Sequence, residues 1–166
     1  MAAEGGPTEG RIAEDRTTDG HAAPRVVVGV DGSAESVGAL KWAADYAAAT
    51  GATVTAVLSW HYPAAVGTAP VGVAPKAVSD EVRDHMEQTL EKALSEAFGT
   101  ATPDNVTTKL AYGHPAPVLV DESRQADLLV VGHRGHGAFT GMLVGSVSMH
   151  CVTNAACPVV VVRGRA

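Results

Sequence analysis

Three stretches of the chain, Arg25-Val-Val-Val-Gly-Val-Asp31, Asp127-Leu-Leu-Val-Val-Gly132 and Pro158-Val-Val-Val-Val-Arg163, are apolar without interruption between polar ends. A strand wetted on one face alternates apolar and polar residues. A run with no alternation needs cover on both faces, which a parallel sheet wrapped in helices supplies. Thr53-Val-Thr-Ala-Val-Leu-Ser59, rich in β-branched residues, and Asn105 to Tyr112 read as two further strands. Helical patterns lie between them. Ser33 is placed to cap a helix in which Val37, Leu40, Ala44, Ala47 and Ala48 recur at helical spacing before Gly51 stops it. Val78, Val82, Met86, Leu90, Leu94 and Phe98 line one side of a second helix, which Gly99 follows. Pro115 opens a third that runs to about Gln125, and a fourth ends near Ala155 or Ala156. Strands and helices in alternation imply right-handed crossovers and a doubly wound parallel α/β sheet.

The 166 residues suffice for one domain with a real core. With 46% hydrophobic but only 4% aromatic residues, that core is built from Val, Ala and Leu. Residues 1–24 carry five acids (Glu4, Glu9, Glu14, Asp15, Asp19) and almost nothing to bury, so a disordered leader is expected ahead of a domain at residues 25–166. A formal charge of -6 and a pI near 5.6 argue against a nucleic-acid partner, whose footprint is a basic patch. Cys151 and Cys157 form neither a disulfide framework nor a CxxC motif. No apolar run reaches the length of a membrane span, and the leader lacks the apolar core of a secretion signal. A cytoplasmic protein with no membrane partner is therefore expected.

The chemistry concentrates after the fourth strand, in Gly132-His-Arg-Gly135-His-Gly137-Ala-Phe-Thr-Gly141-Met-Leu-Val-Gly145-Ser146-Val-Ser148. Glycines between a strand and a helix let backbone N–H groups close on an anion, with φ > 0 accessible and the helix start adding partial positive charge. Ser146 and Ser148 offer hydroxyl donors to the same oxygens. The sequence has no GxxxxGK[ST], and Thr140 stands where GxGxxG needs its third glycine. In a doubly wound sheet ligands sit beyond the C-terminal strand ends, where successive connections begin to wind in opposite directions. If the first and fourth strands are neighbours there, Asp31 and Gly132 face each other across the crevice.

The spacing Gly132, Gly135, Gly145-Ser146, together with Gly-Ser-Val-Ser and Cys157-Pro-Val-Val-Val-Val-Arg163, resembles the ATP-binding branch of the universal stress protein family. The resemblance covers residues 25–166 and implies a five-stranded Rossmann-like sheet in the order 3-2-1-4-5. It places Gly29 and Asp31 near the adenosine, Asp31 on the ribose, and Ser59 or its neighbours against adenine through the backbone. Val131, Gly132, Gly135, Gly145, Ser146, Val147 and Ser148 would enclose ribose and phosphates. ATP is the cofactor it implies, and a second subunit covering the C-terminal strand makes a homodimer the expectation.

Several assignments remain open on sequence alone. Arg134 is either a phosphate contact or a solvated arginine. His133 and His136, with His150, Cys151 and Cys157 downstream, have the wrong spacing for a closed zinc site, whereas Mg2+ or Mn2+ shared with the phosphates suits hard-ion chemistry. Cys157 is expected in the core, and His114 is expected to be a turn or capping residue. Three function classes follow: an ATP-binding stress regulator, favoured here; a slow ATPase or autophosphorylating protein with Ser146 or Ser148 as acceptors; and a nucleotide-free dimeric scaffold. AMP or a cyclic nucleotide is a further ligand reading. No carboxylate is visibly placed to activate a water, which weighs against the enzyme class.

Overall fold

The computed structural model describes residues 23–61, 75–136 and 143–164, with the backbone alone for residues 75–79. Nearly all of the expected leader, Gly137, Thr140 and Gly141, and most of the segment between His61 and Pro75 lie outside the described residues. The elements run β1 (Arg25–Gly29), α1 (Ala34–Thr50), β2 (Thr53–Trp60), α2 (Pro75–Phe98), β3 (Val106–Tyr112), α3 (Pro115–Ser123), β4 (Leu128–Gly132), α4 (Ser146–Asn154) and β5 (Val159–Val162). All strand pairs are parallel, in the order β3-β2-β1-β4-β5. This is the doubly wound sheet that the uninterrupted valine runs require.

Side chains alternate across each strand, so every run feeds two cores at once. Val26, Val28 and Val30 of the first run, with Leu128 and Val130 of β4, face α1 and α2, where Val37, Leu40, Ala43, Ala47, Leu90 and Ala93 cover them. Val27, Leu129 and Val131 face the other way, onto Leu119 of α3 and Cys151 of α4. Burial pushes the Cys151 thiol up to about 11. Cys157 is half-buried and packs against the same cluster.

Local chemistry sets the ends of α1. The Ser33 side chain accepts from Ser36 N–H at 3.2 Å, and Gly51 closes the helix in the left-handed region at φ 72°. The buried face of that helix carries Ala43 where the spacing had suggested Ala48, which is exposed. In an alanine-rich helix several faces look equally apolar, and the large residues Val37 and Leu40 decide which turns inward. Strand starts are pinned as well: Arg25 N–H donates to the Asp127 carboxylate at 2.7 Å, and Asp127 N–H returns a bond to the Arg25 carbonyl at 2.8 Å.

Gly132, at the end of β4, lies against α1 so closely that a Cβ there would stand 2.9 Å from the Glu35 carbonyl carbon. Gly38, within α1, has nothing within 4 Å of a Cβ. We predict opposite effects of the same substitution. Gly132→Ala should destabilise the fold by about 1–3 kcal/mol through overpacking, while Gly38→Ala should stabilise it by about 0.5–1 kcal/mol through helix propensity. Chemical denaturation of both variants beside the parent checks the signs.

Candidate functional site

β1 leads into α1 on one face of the sheet, and β4 leads by way of its loop into α4 on the other. Their connections therefore diverge, and a crevice opens between the two strand ends. A cavity of about 460 Å³ lies there. β1 and the turn after it contribute Gly29 and Asp31, β2 contributes Ser59, and β4 contributes Val131 and Gly132. The loop adds Arg134 and Gly135, and the start of α4 adds Gly145, Ser146, Val147 and Ser148. The fold thus brings every residue assigned to the nucleotide from the sequence to one set of walls, and His133 is not among the lining residues. The fold also brings Val30, Ser36, Val57, Pro115 and Leu119, which sequence reasoning missed, and His136, which the sequence offered only as part of an ill-spaced metal set. Pro115 and Leu119 come from α3, whose place over this face follows from the crossover between β3 and β4. A signal was available, since Pro115 marks a helix starting at the C-terminal end of a strand.

Asp31 is the best-connected polar group of the site. Its Oδ1 accepts from Ser33 N–H at 3.0 Å and from the Ser33 hydroxyl at 2.5 Å, and its Oδ2 accepts from His136 N–H at 2.9 Å. Partial burial pushes the carboxyl up, but the Ser33 and His136 hydrogen bonds outweigh it and hold Asp31 below its ordinary value. The group is an anion at neutral pH. Behind it, the Ser36 hydroxyl donates to the Ser33 carbonyl at 2.9 Å and accepts from Asp31 N–H at 3.3 Å.

The loop glycines act differently from the sequence expectation. Among the described residues positive φ occurs at Gly32, Gly51, Gly99 and Gly113, and not at Gly132, Gly135 or Gly145. Gly145 is extended, at φ -68° and ψ 158°. What these positions need is closeness of approach. A Cβ on Gly135 would overlap the Asp31 carboxylate, and one on Gly145 would touch the Arg134 Cα at 3.4 Å. The left-handed residue is Gly32, at φ 84° in the turn after Asp31.

Gly145 is the N-cap of α4 and no side chain caps that helix, so its first-turn amides and partial positive charge belong to the cavity wall. Gly145 N–H donates to the His133 carbonyl at 2.7 Å, closing the loop on itself. The Ser148 hydroxyl gives its proton to the Gly132 carbonyl at 2.6 Å, so toward a ligand it offers its backbone N–H and oxygen lone pairs. Arg134 Nε and His133 Nδ1 are buried and have no hydrogen-bond partner among the described residues. An arginine that lines a cavity beside a bare helix start fits an anionic ligand. The donor set therefore suits a nucleotide: amides and an arginine for phosphates, apolar Val57, Leu119 and Val131 for a base, and a carboxylate for a hydroxyl. Among the described residues no three His, Cys, Asp or Glu side chains converge on a metal position. His114 occupies the N-cap of α3 without a side-chain hydrogen bond, and its ring packs on His61 with centroids 4.1 Å apart. No helix among the described residues is long and apolar enough to cross a membrane.

Comparison with known proteins gives one answer. The family model described as the universal stress protein family matches residues 23–163. Universal stress protein Rv2005c of Mycobacterium tuberculosis is 36% identical over 141 residues, covering 83% of this chain and 47% of that protein. The chain thus spans about half the length of the curated relatives it matches. Among solved structures, UspA from Lactobacillus plantarum superposes with a TM-score of 0.68 at 24% identity, covering 86% of this chain and 100% of that one. A universal stress protein in complex with cAMP superposes with a TM-score of 0.52 at 28% identity, covering 86% and 98% of the two chains. On the strength of a match that runs from before β1 to beyond β5, this chain belongs to the universal stress protein family.

Proposed function

We propose that the crevice between β1 and β4 binds an adenine nucleotide, ATP in the first instance, and that the chain acts as a nucleotide-responsive regulator in dimeric form. The observation that carries this reading is the bare start of α4, whose first-turn amides line one cavity together with Arg134, Asp31 and the glycines Gly132, Gly135 and Gly145. In it, Ser146, Val147 and Ser148 present main-chain donors to phosphate from the turn that Gly145 opens, and Arg134 adds a charged fork. Asp31 takes a ribose hydroxyl, Ser59 meets the base through its backbone, and Gly29 leaves room at the floor. Gly132 and Gly135 let the loop lie close to α1 and to Asp31. Mg2+ or Mn2+ would accompany the phosphates, because hard divalent ions prefer their oxygens and water.

A bound nucleotide supplies the negative charge that the loop lacks, and only a difference in loop order between the two states can alter a partner surface. β5 lies at the sheet edge with one side unpaired among the described residues, which supports pairing with a second copy. Asp31 is the one carboxylate among the lining residues, and its existing hydrogen bonds disfavour it as a base for water; hydrolysis is not part of the proposal. A second reading, AMP or a cyclic nucleotide in the same crevice, draws on the cAMP complex of the 28%-identical relative.

Three measurements test this reading. Denaturing the purified chain and identifying released small molecules, followed by calorimetric titration with ATP, AMP and cAMP, should reveal an adenine nucleotide or saturable binding; neither would defeat the proposal. Arg134→Ala should weaken ATP about tenfold or more while leaving adenosine nearly unaffected, as expected for loss of a charged hydrogen bond to phosphate. Gly145→Val, whose branched side chain would crowd the Arg134 backbone and the phosphate space, should abolish ATP binding with the melting temperature held within about 5 °C. Unchanged affinity in that variant would mean that the loop is misassigned.

A further inference from the structure

The loop that carries the proposed phosphate site already holds an anion of the protein's own. The Asp31 carboxylate bridges two segments 105 residues apart, accepting at Oδ2 from His136 N–H at 2.9 Å. Its other oxygen is fastened locally, by the backbone and the hydroxyl of Ser33. Gly135 lies so close under Oδ2 that any side chain there would collide with it. Three of the carboxylate's roughly four lone-pair positions are therefore filled. The cavity stays open with this contact made, and Arg134 lines it beside the bond.

We propose that Asp31 is a positioning residue, an internal anion that latches the front of the loop to the end of β1 and so presets the Arg134–Gly135 wall before any ligand arrives. The remaining lone-pair position on Oδ2 leaves room for one hydroxyl, so latch and ribose contact are compatible on a single carboxylate. For its consequence on ligand binding this inference rests on the reading of the crevice as a nucleotide site; the latch itself does not. It also reverses an electrostatic expectation. By Coulomb's law alone, a carboxylate close to a polyphosphate opposes binding, and removing its charge should tighten it. A latch predicts the opposite, because a loop released from β1 must be reordered by the ligand at the expense of affinity.

Asp31→Asn is the decisive variant. Its Oδ1 can keep both bonds from Ser33, the residue that caps α1, but its amide NH2 then faces the His136 N–H, donor against donor. In the nucleotide-free full chain, hydrogen exchange followed by NMR should show His136 N–H protected in the parent. In Asp31→Asn it should exchange about tenfold to a hundredfold faster, while core amides such as Val27 and Val130 keep their rates. The His136 amide proton should also lose the downfield shift that a carboxylate acceptor confers. Gly135→Ala, which leaves the carboxylate in place but pushes a methyl group against it, should reproduce the local loss and serves if the first variant does not fold. An unprotected His136 amide in the parent, or exchange there unchanged by both substitutions, overturns the latch. Since the exchange measurement uses no nucleotide, it tests the latch even in a chain that binds no ATP. With inorganic tripolyphosphate, which has no ribose to lose, Asp31→Asn should bind several-fold more weakly where the parent binds; tighter binding would overturn the preset-wall role.

Discussion

Two valine-rich strands that tolerate water on neither face lie side by side as β1 and β4, and the rest of the molecule is arranged to keep them covered. Their parallel pairing, Val26 with Leu128 through Val28 with Val130, puts both C-terminal ends at one edge of the sheet. Because α1 must cover one face and α4 the other, the two connections leave in opposite directions. The crevice is what remains between them. A ligand site in this fold is a by-product of two-sided burial, and its chemistry is set by whichever residues stand at the strand ends.

Those residues make an anion-friendly wall in a chain whose net charge is -6. The favourable field is local and owes more to the backbone than to side-chain cations: an uncapped helix start, main-chain amides brought close by absent side chains, and one arginine. The acid in the same crevice is held ionised by donors from its own turn and from the loop opposite. An ionised acid and an arginine thus stand within one small volume, with the acid tied down from two sides, which helps the site keep its shape without a ligand.

The glycines show where reasoning from residue type alone falls short. Gly132, Gly135 and Gly145 stood out because glycine permits left-handed backbone, yet none of them uses it. Gly132 is needed because a helix passes within contact distance, and Gly135 because a carboxylate does. Both neighbours, Glu35 and Asp31, come from the other end of the chain, so nothing in the local sequence could identify them. The glycine of the site that does adopt positive φ, Gly32, sits in the turn after Asp31.

Taken alone, the sequence determined the elements, their parallel sheet and the segment that matters. Uninterrupted Val runs, capping residues such as Ser33 and Gly51, and glycine spacing are local signals that follow from sterics and hydrogen bonding within a few residues. The apolar half of the cavity, supplied by Val57, Pro115 and Leu119, and the tie between Asp31 and His136 were decided only in three dimensions. Which face of an alanine-rich helix turns inward was decided there too. The reason is common to all three: each depends on partners tens of residues away, brought together by strand order and crossover hand, and no spacing along the chain encodes such a distance.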